Sequence, residues 1–114
     1  MNKPFLSINL ITYNHEKYIE ECLNGMLSQN TEFQYEIVIG EDCSTDKTRE
    51  LCKYYAEKYS DIIKLIDREK NLGNLENWHN TLSNCSGKYI ALSDGDDYWT
   101  DPYKLQKQVN AMNR

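Results

Sequence analysis

The sequence lacks several features that would assign it to a familiar class. None of its apolar runs approaches the roughly 20 residues that a membrane-spanning helix requires, and we predict no signal peptide. No Gly-x-Gly-x-x-Gly motif marks a dinucleotide-binding turn. Basic residues are the minority, with 13 Lys and Arg against 18 Asp and Glu and a net charge of −5. Nucleic acid is therefore an unfavourable partner, because binding its phosphates requires clustered cations.

Cysteine pairs with the spacing of metal or redox sites are also missing. The four cysteines, Cys22, Cys43, Cys52 and Cys85, include no Cys-x-x-Cys pair. Three of them, Cys22, Cys52 and Cys85, are predicted on apolar helix faces, where a thiol packs as a small hydrophobe. We expect a cytoplasmic protein whose thiols are reduced. The protein is expected to be either free in the cytoplasm or bound peripherally to the inner face of the membrane.

The chain does contain enough material for one folded domain. Of its 114 residues 39% are hydrophobic and 27% charged, which is typical of a globular domain that buries roughly two-thirds of its unfolded surface. Strand-like and helix-like segments alternate four times. The predicted strands cover residues 5–11, 35–39, 62–66 and 88–92. This alternation predicts right-handed crossovers and an α/β fold, a mainly parallel sheet with flanking helices.

The helices are predicted from apolar residues that recur at three- and four-residue spacing. The stripes expected to face the core lie within residues 19–27, 51–59, 75–85 and 105–112. Leu75 and Leu82 should be buried in the third helix, and Met112 should end the buried face of the fourth. Ser44 or Thr45 is expected to cap the second helix, because a hydroxyl accepts a hydrogen bond from a free N–H of a first turn.

Polar side chains follow the predicted strands. They are Thr12, Tyr13 and Asn14 after the first strand, Glu41 and Asp42 after the second, the turn 71–73 after the third, and Asp94, Asp96 and Asp97 after the fourth. Ligands of open parallel sheets bind at the carboxyl ends of the strands. These residues are therefore expected to gather at one edge of the sheet.

The segment Ser93-Asp94-Gly95-Asp96-Asp97 is the strongest sign of chemistry. Carboxylates this close repel one another, and the cluster costs stability unless a cation neutralises it. Mg²⁺ and Mn²⁺ prefer oxygen ligands and keep positions open for phosphate oxygens. Gly95 is expected to give the backbone freedom that lets the carboxylates converge. A solvated acidic loop is the alternative, and the apolar strand directly before it favours the metal site.

Two other residues have a functional and a structural interpretation, and both stay open at this point. Asp42 is placed to accept a hydrogen bond from an N–H of a pyrimidine base, or to cap a helix or turn. Tyr13 is placed to stack on a flat base, or to pack at the rim of the core. His15 and His79 are expected to be structural or exposed, since neither has a partner at metal-ligand spacing.

Four segments resemble, in order, motifs of glycosyltransferase family 2. They are the strand and loop 10–14, the second-strand signature 36–48, the Asn-x-Gly turn 71–73 and the stretch 87–99 with its Asp-x-Asp motif. The resemblance implies a Rossmann-like GT-A fold. Residues 1–114 would form a single nucleotide-diphospho-sugar-binding domain, the N-terminal part of that fold. Glu41 and Cys43 stand where the family more often has aspartate and glycine.

The resemblance also implies roles for single residues. The nucleotide-sugar-binding residues would be Thr12, Tyr13, Asp42, Asp94 and Asp96, and the ligands of Mn²⁺ or Mg²⁺ would be Asp96 and Asp97. Asp42 would contact the base, usually uracil, while Thr12 and Tyr13 would line the base and ribose pocket. An arginine that many members carry near His79 and Asn80 is missing, which leaves the diphosphate contact there open.

The implied reaction is inverting transfer of a sugar from a nucleotide-diphospho-sugar to a hydroxyl of a saccharide or lipid-linked acceptor. The expected donor is a UDP-linked sugar. The acceptor-binding half and the catalytic base of the family lie beyond Arg114, so we expect no catalytic residue and no turnover within these residues. We also expect self-association through an exposed sheet surface. The alternative function is an aspartyl-phosphate phosphotransferase or phosphatase that uses Asp94 and Asp96.

Overall fold

Four parallel strands form the centre of the computed structural model, which describes residues 3–112. The strands are β1 (Leu6–Thr12), β2 (Tyr35–Glu41), β3 (Ile63–Asp67) and β4 (Tyr89–Asp94). The helices are α1 (Ile19–Leu27), α2 (Thr48–Lys58), α3 (Asn74–Ser83) and α4 (Lys104–Met112). The strand order is β3-β2-β1-β4, and every neighbouring pair is parallel. The predicted α/β fold is confirmed.

The order of the strands in the sheet changes direction at β1. The chain runs from β1 to β2 to β3 in one direction and then returns to set β4 on the other side of β1. The order of the strands thus reverses at β1, and ligands of open parallel sheets bind at such a reversal. The two strands end at the same level, because Ile11 pairs with Asp94 and the Gly95 N–H donates to the Ile11 carbonyl at 2.9 Å.

Apolar side chains of β1, β2, α1 and α4 form the core beneath this edge. The buried face of α1 is the predicted one, with Ile19, Cys22, Leu23 and Met26 fully buried. The face of α4 is predicted in part: Leu105 and Val109 are buried, whereas Met112 is half exposed in the last turn. The prediction for Met112 is wrong, because half of its surface is exposed among the described residues.

The predicted apolar face of α3 is wrong. Leu75 is 77% exposed and Leu82 is only partly buried, and the fully buried residues of the helix are Asn77 and Thr81. Gly40 in β2 has no side chain, so the helix approaches the strand until a Cβ there would come within 2.6 Å of Asn77 Oδ1. Asn77 Nδ2 donates to the Gly40 carbonyl at 2.8 Å, and the Thr81 hydroxyl donates to Asn77 Oδ1 at 3.2 Å. Hydrogen bonds therefore hold this helix to the sheet, and an apolar stripe could not reveal them.

The predicted cap of α2 is also wrong. The helix begins at Thr48, whose N–H donates to Asp46 Oδ1 at 2.9 Å. Ser44 and Thr45 bind Asn14 instead: the Asn14 N–H donates to Ser44 Oγ at 3.0 Å, and the Thr45 N–H donates to Asn14 Oδ1 at 2.8 Å. The hydroxyl segment thus joins the loops after β1 and β2, which a local capping rule does not anticipate.

The four cysteines are free thiols. Cys22 and Cys52 are buried in α1 and α2 as predicted, and burial, with smaller effects of nearby carboxylates, raises the pKa of Cys22 to about 12. Cys85 follows the end of α3 and is half-buried, so its predicted place on that helix is wrong. Within residues 3–112 no helix has the length and apolarity to cross a membrane. The cytoplasmic location stays a prediction.

Candidate functional site

The carboxyl ends of β1 and β4 open into a cavity of about 310 Å³. It is lined by Ile11, Thr12, Tyr13, His15, Asn74, Asp94 and Asp96. We call this cavity the crevice. Four of the predicted site residues, Thr12, Tyr13, Asp94 and Asp96, therefore meet there, at the reversal of strand order. Asp97 belongs to the same acidic cluster as Asp94 and Asp96, and neither Asp97 nor Asp42 is among the lining residues.

The acidic cluster consists of Asp94, Asp96 and Asp97. Oxygens of the three exposed carboxylates lie within 4.8 Å of one another. Burial, and then repulsion by Asp97 and Asp96, raises the pKa of the Asp94 carboxyl above its ordinary value. Convergent oxygen donors that repel one another match the hard divalent cations Mg²⁺ and Mn²⁺. The residues therefore fit the ion that the sequence predicts, with Asp96 and Asp97 as its proposed ligands.

The turn after β4 holds this cluster in shape. One oxygen of Asp97, Oδ2, accepts hydrogen bonds from Ser93 Oγ at 2.8 Å and from the Asp94 N–H at 2.9 Å. No hydrogen bond is described for the other oxygen, Oδ1, within residues 3–112. Asp97 is thus able to close the turn and still offer one oxygen to a cation.

The expected reason for Gly95 is wrong. The φ angle of Gly95 is not positive, so this position does not require the backbone freedom of glycine. A Cβ at Gly95 would instead collide with the Thr12 hydroxyl and lie 2.7 Å from His15 Nδ1. The glycine therefore permits a close approach of the acidic turn to the end of β1.

Asp42 is buried, with 2% of its surface exposed, and its carboxylate holds the turn 71–73. It accepts hydrogen bonds from the Leu72 N–H at 2.7 Å, the Gly73 N–H at 3.0 Å and Asn71 Nδ2 at 3.1 Å. A carboxylate has about four acceptor positions, so these donors leave room for about one further bond. Asp42 is a turn-binding residue, and its contact with a base stays a prediction.

Glu41 has a similar local role. Its carboxylate is fully buried and accepts hydrogen bonds from the N–H groups of Cys43 and Ser44, each at 3.1 Å. Cys43 has a φ of 58°, a left-handed backbone conformation that residues other than glycine adopt rarely. These bonds to Glu41 stabilise the turn at Cys43, where the resemblance leads us to expect glycine.

His15 and Asn74 are polar crevice residues that the sequence-based prediction missed, and His15 makes the closer contacts with the site. Its Nδ1 lies 2.9 Å from Thr12 Oγ1, and its Nε2 lies 3.9 Å from Asp96 Oδ2. Its backbone N–H donates to Thr48 Oγ1 at 2.8 Å. The prediction tested only for metal-ligand spacing. The position of His15 directly after Tyr13 and Asn14, at the end of a strand, was the signal that placed it near the site.

Arg68 reaches Asn80, near the position where the resemblance leads us to expect an arginine, but it does not line the crevice. Its guanidinium donates to Asn77 Oδ1 and Asn80 Oδ1 at 2.9 Å each and to Thr81 Oγ1 at 3.2 Å. Burial lowers the pKa of Arg68, and the charge of Asp42 partly opposes this shift. Arg68 therefore fastens α3 to the end of β3 and is committed to that contact.

The match to a known family decides what kind of protein this site belongs to. The sequence profile of Glycosyl transferase family 2 matches residues 7–114. The chain belongs to this family. The membership agrees with the resemblance of the four motifs and favours the transferase over the aspartyl-phosphate alternative.

Relatives of this family 2 domain include proteins from several bacteria. An uncharacterized protein of Mycobacterium tuberculosis is 46% identical over 109 residues, which is 96% of this chain and 32% of the relative. The putative glycosyltransferase EpsE of Bacillus subtilis is 39% identical over 111 residues, 97% of this chain and 39% of its own length. The chain thus spans 32–39% of the length of these two relatives.

The fold of this family 2 domain is also that of solved GT-A enzymes. Staphylococcus aureus TarS in complex with UDP superposes with a TM-score of 0.80 at 30% identity, over 95% of this chain and 32% of that one. A second TarS structure contains UDP-GlcNAc and superposes equally well. The implied Rossmann-like GT-A fold, in its N-terminal part, is confirmed.

Proposed function

We propose that this family 2 domain binds a UDP-linked sugar in the crevice, for inverting transfer of the sugar to a hydroxyl of a saccharide or lipid-linked acceptor. The observation that carries the proposal is that the aromatic ring of Tyr13 and the convergent acidic cluster lie at the same reversal of strand order. A nucleotide-diphospho-sugar has the matching parts, a flat base and a diphosphate that binds a divalent cation. The TarS complexes with UDP and UDP-GlcNAc support the choice of uridine.

The crevice offers a separate place for each part of the donor. Tyr13, 39% exposed, lines the crevice and is proposed to stack on the base. Asp94 and Asp96 line the acidic side, where the diphosphate and the sugar hydroxyls would lie. Asp96 and Asp97 would hold Mn²⁺ or Mg²⁺, which when bound supplies positive charge to the departing diphosphate.

The transfer step itself divides between this domain and other groups. In an inverting reaction the acceptor oxygen forms a bond to the anomeric carbon as the bond from that carbon to the diphosphate breaks. We propose that residues 1–114 bind the donor and its leaving group, and that none of them is the general base that takes the acceptor proton. The acceptor site and that base are proposed to lie in sequence beyond these residues.

A thermal-shift measurement tests donor binding. UDP with Mn²⁺ should raise the melting temperature of the chain more than either one alone, because the diphosphate oxygens and the carboxylates share one ion. At 100 times its dissociation constant a ligand adds about 2.7 kcal/mol to stability. UMP should give a smaller shift, and GDP with Mn²⁺ should be weaker than UDP. A chain that responds to no nucleoside diphosphate, with either Mn²⁺ or Mg²⁺, would contradict the proposal.

We also propose that the chain self-associates through β4. In the described sheet this strand lies at the edge, and its Ile90 and Leu92 side chains are 37% and 60% exposed. A strand at a sheet edge that exposes apolar side chains such as these favours association with another chain. Light scattering should show a dimer or larger species at tens of micromolar, and Leu92→Lys should shift it toward the monomer. Leu75→Lys, on the exposed side of α3, is the control. A wild-type protein that stays monomeric would rule out this contact.

A further inference from the structure

The crevice is rich in acid, and none of its lining residues is an arginine or a lysine. Arg68 is already bonded to three side chains of α3. A diphosphate has several anionic oxygens, and proteins bind such oxygens with charge-assisted N–H donors as well as with a metal ion. The lining side chains with N–H groups are His15 and Asn74.

Three contacts fix the His15 ring beside the acidic cluster. The backbone N–H of His15 donates to the buried Thr48 hydroxyl at 2.8 Å, which sets the position of the residue. Nδ1 lies 2.9 Å from Thr12 Oγ1. Gly95 packs so closely that a Cβ there would lie 2.7 Å from Nδ1. The opposite ring nitrogen, Nε2, is therefore left on the side of Asp96, at 3.9 Å from Oδ2.

The contact with Thr12 decides which ring nitrogen of a neutral His15 carries the proton. Thr12 is buried, and the hydrogen bond described for its hydroxyl is the one with Nδ1. A buried hydroxyl hydrogen without an acceptor is costly, so the hydroxyl donates to Nδ1. Nδ1 is then the acceptor nitrogen of a neutral imidazole, and Nε2 carries the hydrogen. The Nε2–H group faces the acidic side of the crevice.

We propose that the Nε2–H of His15 donates a hydrogen bond to an oxygen of the bound diphosphate, and that Thr12 positions it by keeping Nδ1 the acceptor. This inference rests on the proposed function. The distance of 3.9 Å between Nε2 and Asp96 is too long for a direct hydrogen bond, so the N–H group is available to a ligand oxygen. His15 thus supplies an N–H donor in a site whose lining contains no arginine and no lysine.

Two substitutions at His15 separate the two ring nitrogens. Glutamine places an amide N–H near the position of Nε2, whereas asparagine places its amide near the position of Nδ1. By calorimetry in Mn²⁺, His15→Asn should weaken UDP about tenfold, the loss expected for one charge-assisted hydrogen bond. His15→Gln should stay within about threefold of the wild type. UMP, which lacks the second phosphate, should lose less in His15→Asn than UDP does. His79→Ala, on the exposed side of α3, is the control and should bind UDP normally.

The role of Thr12 has a readout of its own. Thr12→Val removes the hydroxyl with little change of shape, and Thr12→Ser keeps it. Nitrogen NMR of His15 should show the Nε2–H tautomer in the wild type and in Thr12→Ser, and a mixture of tautomers in Thr12→Val. UDP affinity should fall in Thr12→Val together with the population of the Nε2–H tautomer.

The outcomes distinguish this inference from the proposed function. A wild-type chain that binds no nucleoside diphosphate would overturn both. If the wild type binds UDP and His15→Asn binds it equally well, the inference alone is wrong. An equal loss of Mn²⁺ binding without nucleotide in His15→Asn would show that His15 only orders the acidic turn, and would also overturn it. A wild-type spectrum with the hydrogen on Nδ1 would overturn the role of Thr12.

Discussion

Replacing Asp96 and Asp97 together by asparagine should abolish the Mn²⁺-dependent part of UDP binding. The three carboxylates of the acidic cluster converge within 4.8 Å, and the substitutions remove the charge of the two proposed metal ligands. We expect the affinity for UDP in Mn²⁺ to fall at least tenfold, or about 1.4 kcal/mol, to the value measured in EDTA. The turn should persist, because an asparagine carbonyl at 97 can still accept from Ser93 Oγ and the Asp94 N–H, as Asp97 does.

A control with the same change of charge makes this result specific. Glu57→Gln combined with Asp61→Asn neutralises two exposed carboxylates at the far end of α2 and in the turn after it. That variant should respond to Mn²⁺ and UDP as the wild type does. If the Asp96 and Asp97 variant also responds like the wild type, the acidic cluster is a solvated loop.

Asp42→Asn should weaken UDP by about 1–3 kcal/mol, the usual loss when a charged hydrogen-bond acceptor is removed. The structure adds a second expectation. The carboxylate accepts from three N–H groups of the turn 71–73, and an asparagine NH₂ group would face one of these donors. The free energy of unfolding should therefore also fall by about 1–3 kcal/mol in urea titration. Binding of Mn²⁺ without nucleotide should hardly change.

A second variant shows whether Asp42 touches the base or acts through the turn. Asn71→Ala removes one donor to Asp42 and keeps its carboxylate. If Asp42 contacts uracil directly, Asp42→Asn should lose the preference for UDP over GDP, and Asn71→Ala should keep it. Similar losses in both variants would assign Asp42 to the turn alone. Unaltered UDP affinity in Asp42→Asn would leave it no part in nucleotide binding.

The fold was predictable from the order of the segments and from local patterns. Each strand run is short, apolar and followed by polar residues, and each observed strand lies within about two residues of its predicted bounds. Patterns of period 3.6 identified the buried faces of α1 and α2, because those faces pack against an apolar sheet. The same reasoning failed for α3. Its contact with β2 passes through Asn77, Thr81 and the bare backbone at Gly40, so polar residues carry the packing.

The sequence by itself determined which residues could stand at the carboxyl edge of the sheet, since a parallel strand delivers whatever follows it to that edge. Thr12, Tyr13, Asp94 and Asp96 reached the crevice for this reason. Tertiary structure alone decided what each of the others does there. Asp42 turns to the loop 71–73, and His15 is drawn to Thr12 and the acidic turn. Both outcomes depend on contacts between segments far apart in sequence, where buried donors and acceptors must find partners, and such partners are not written in any local pattern.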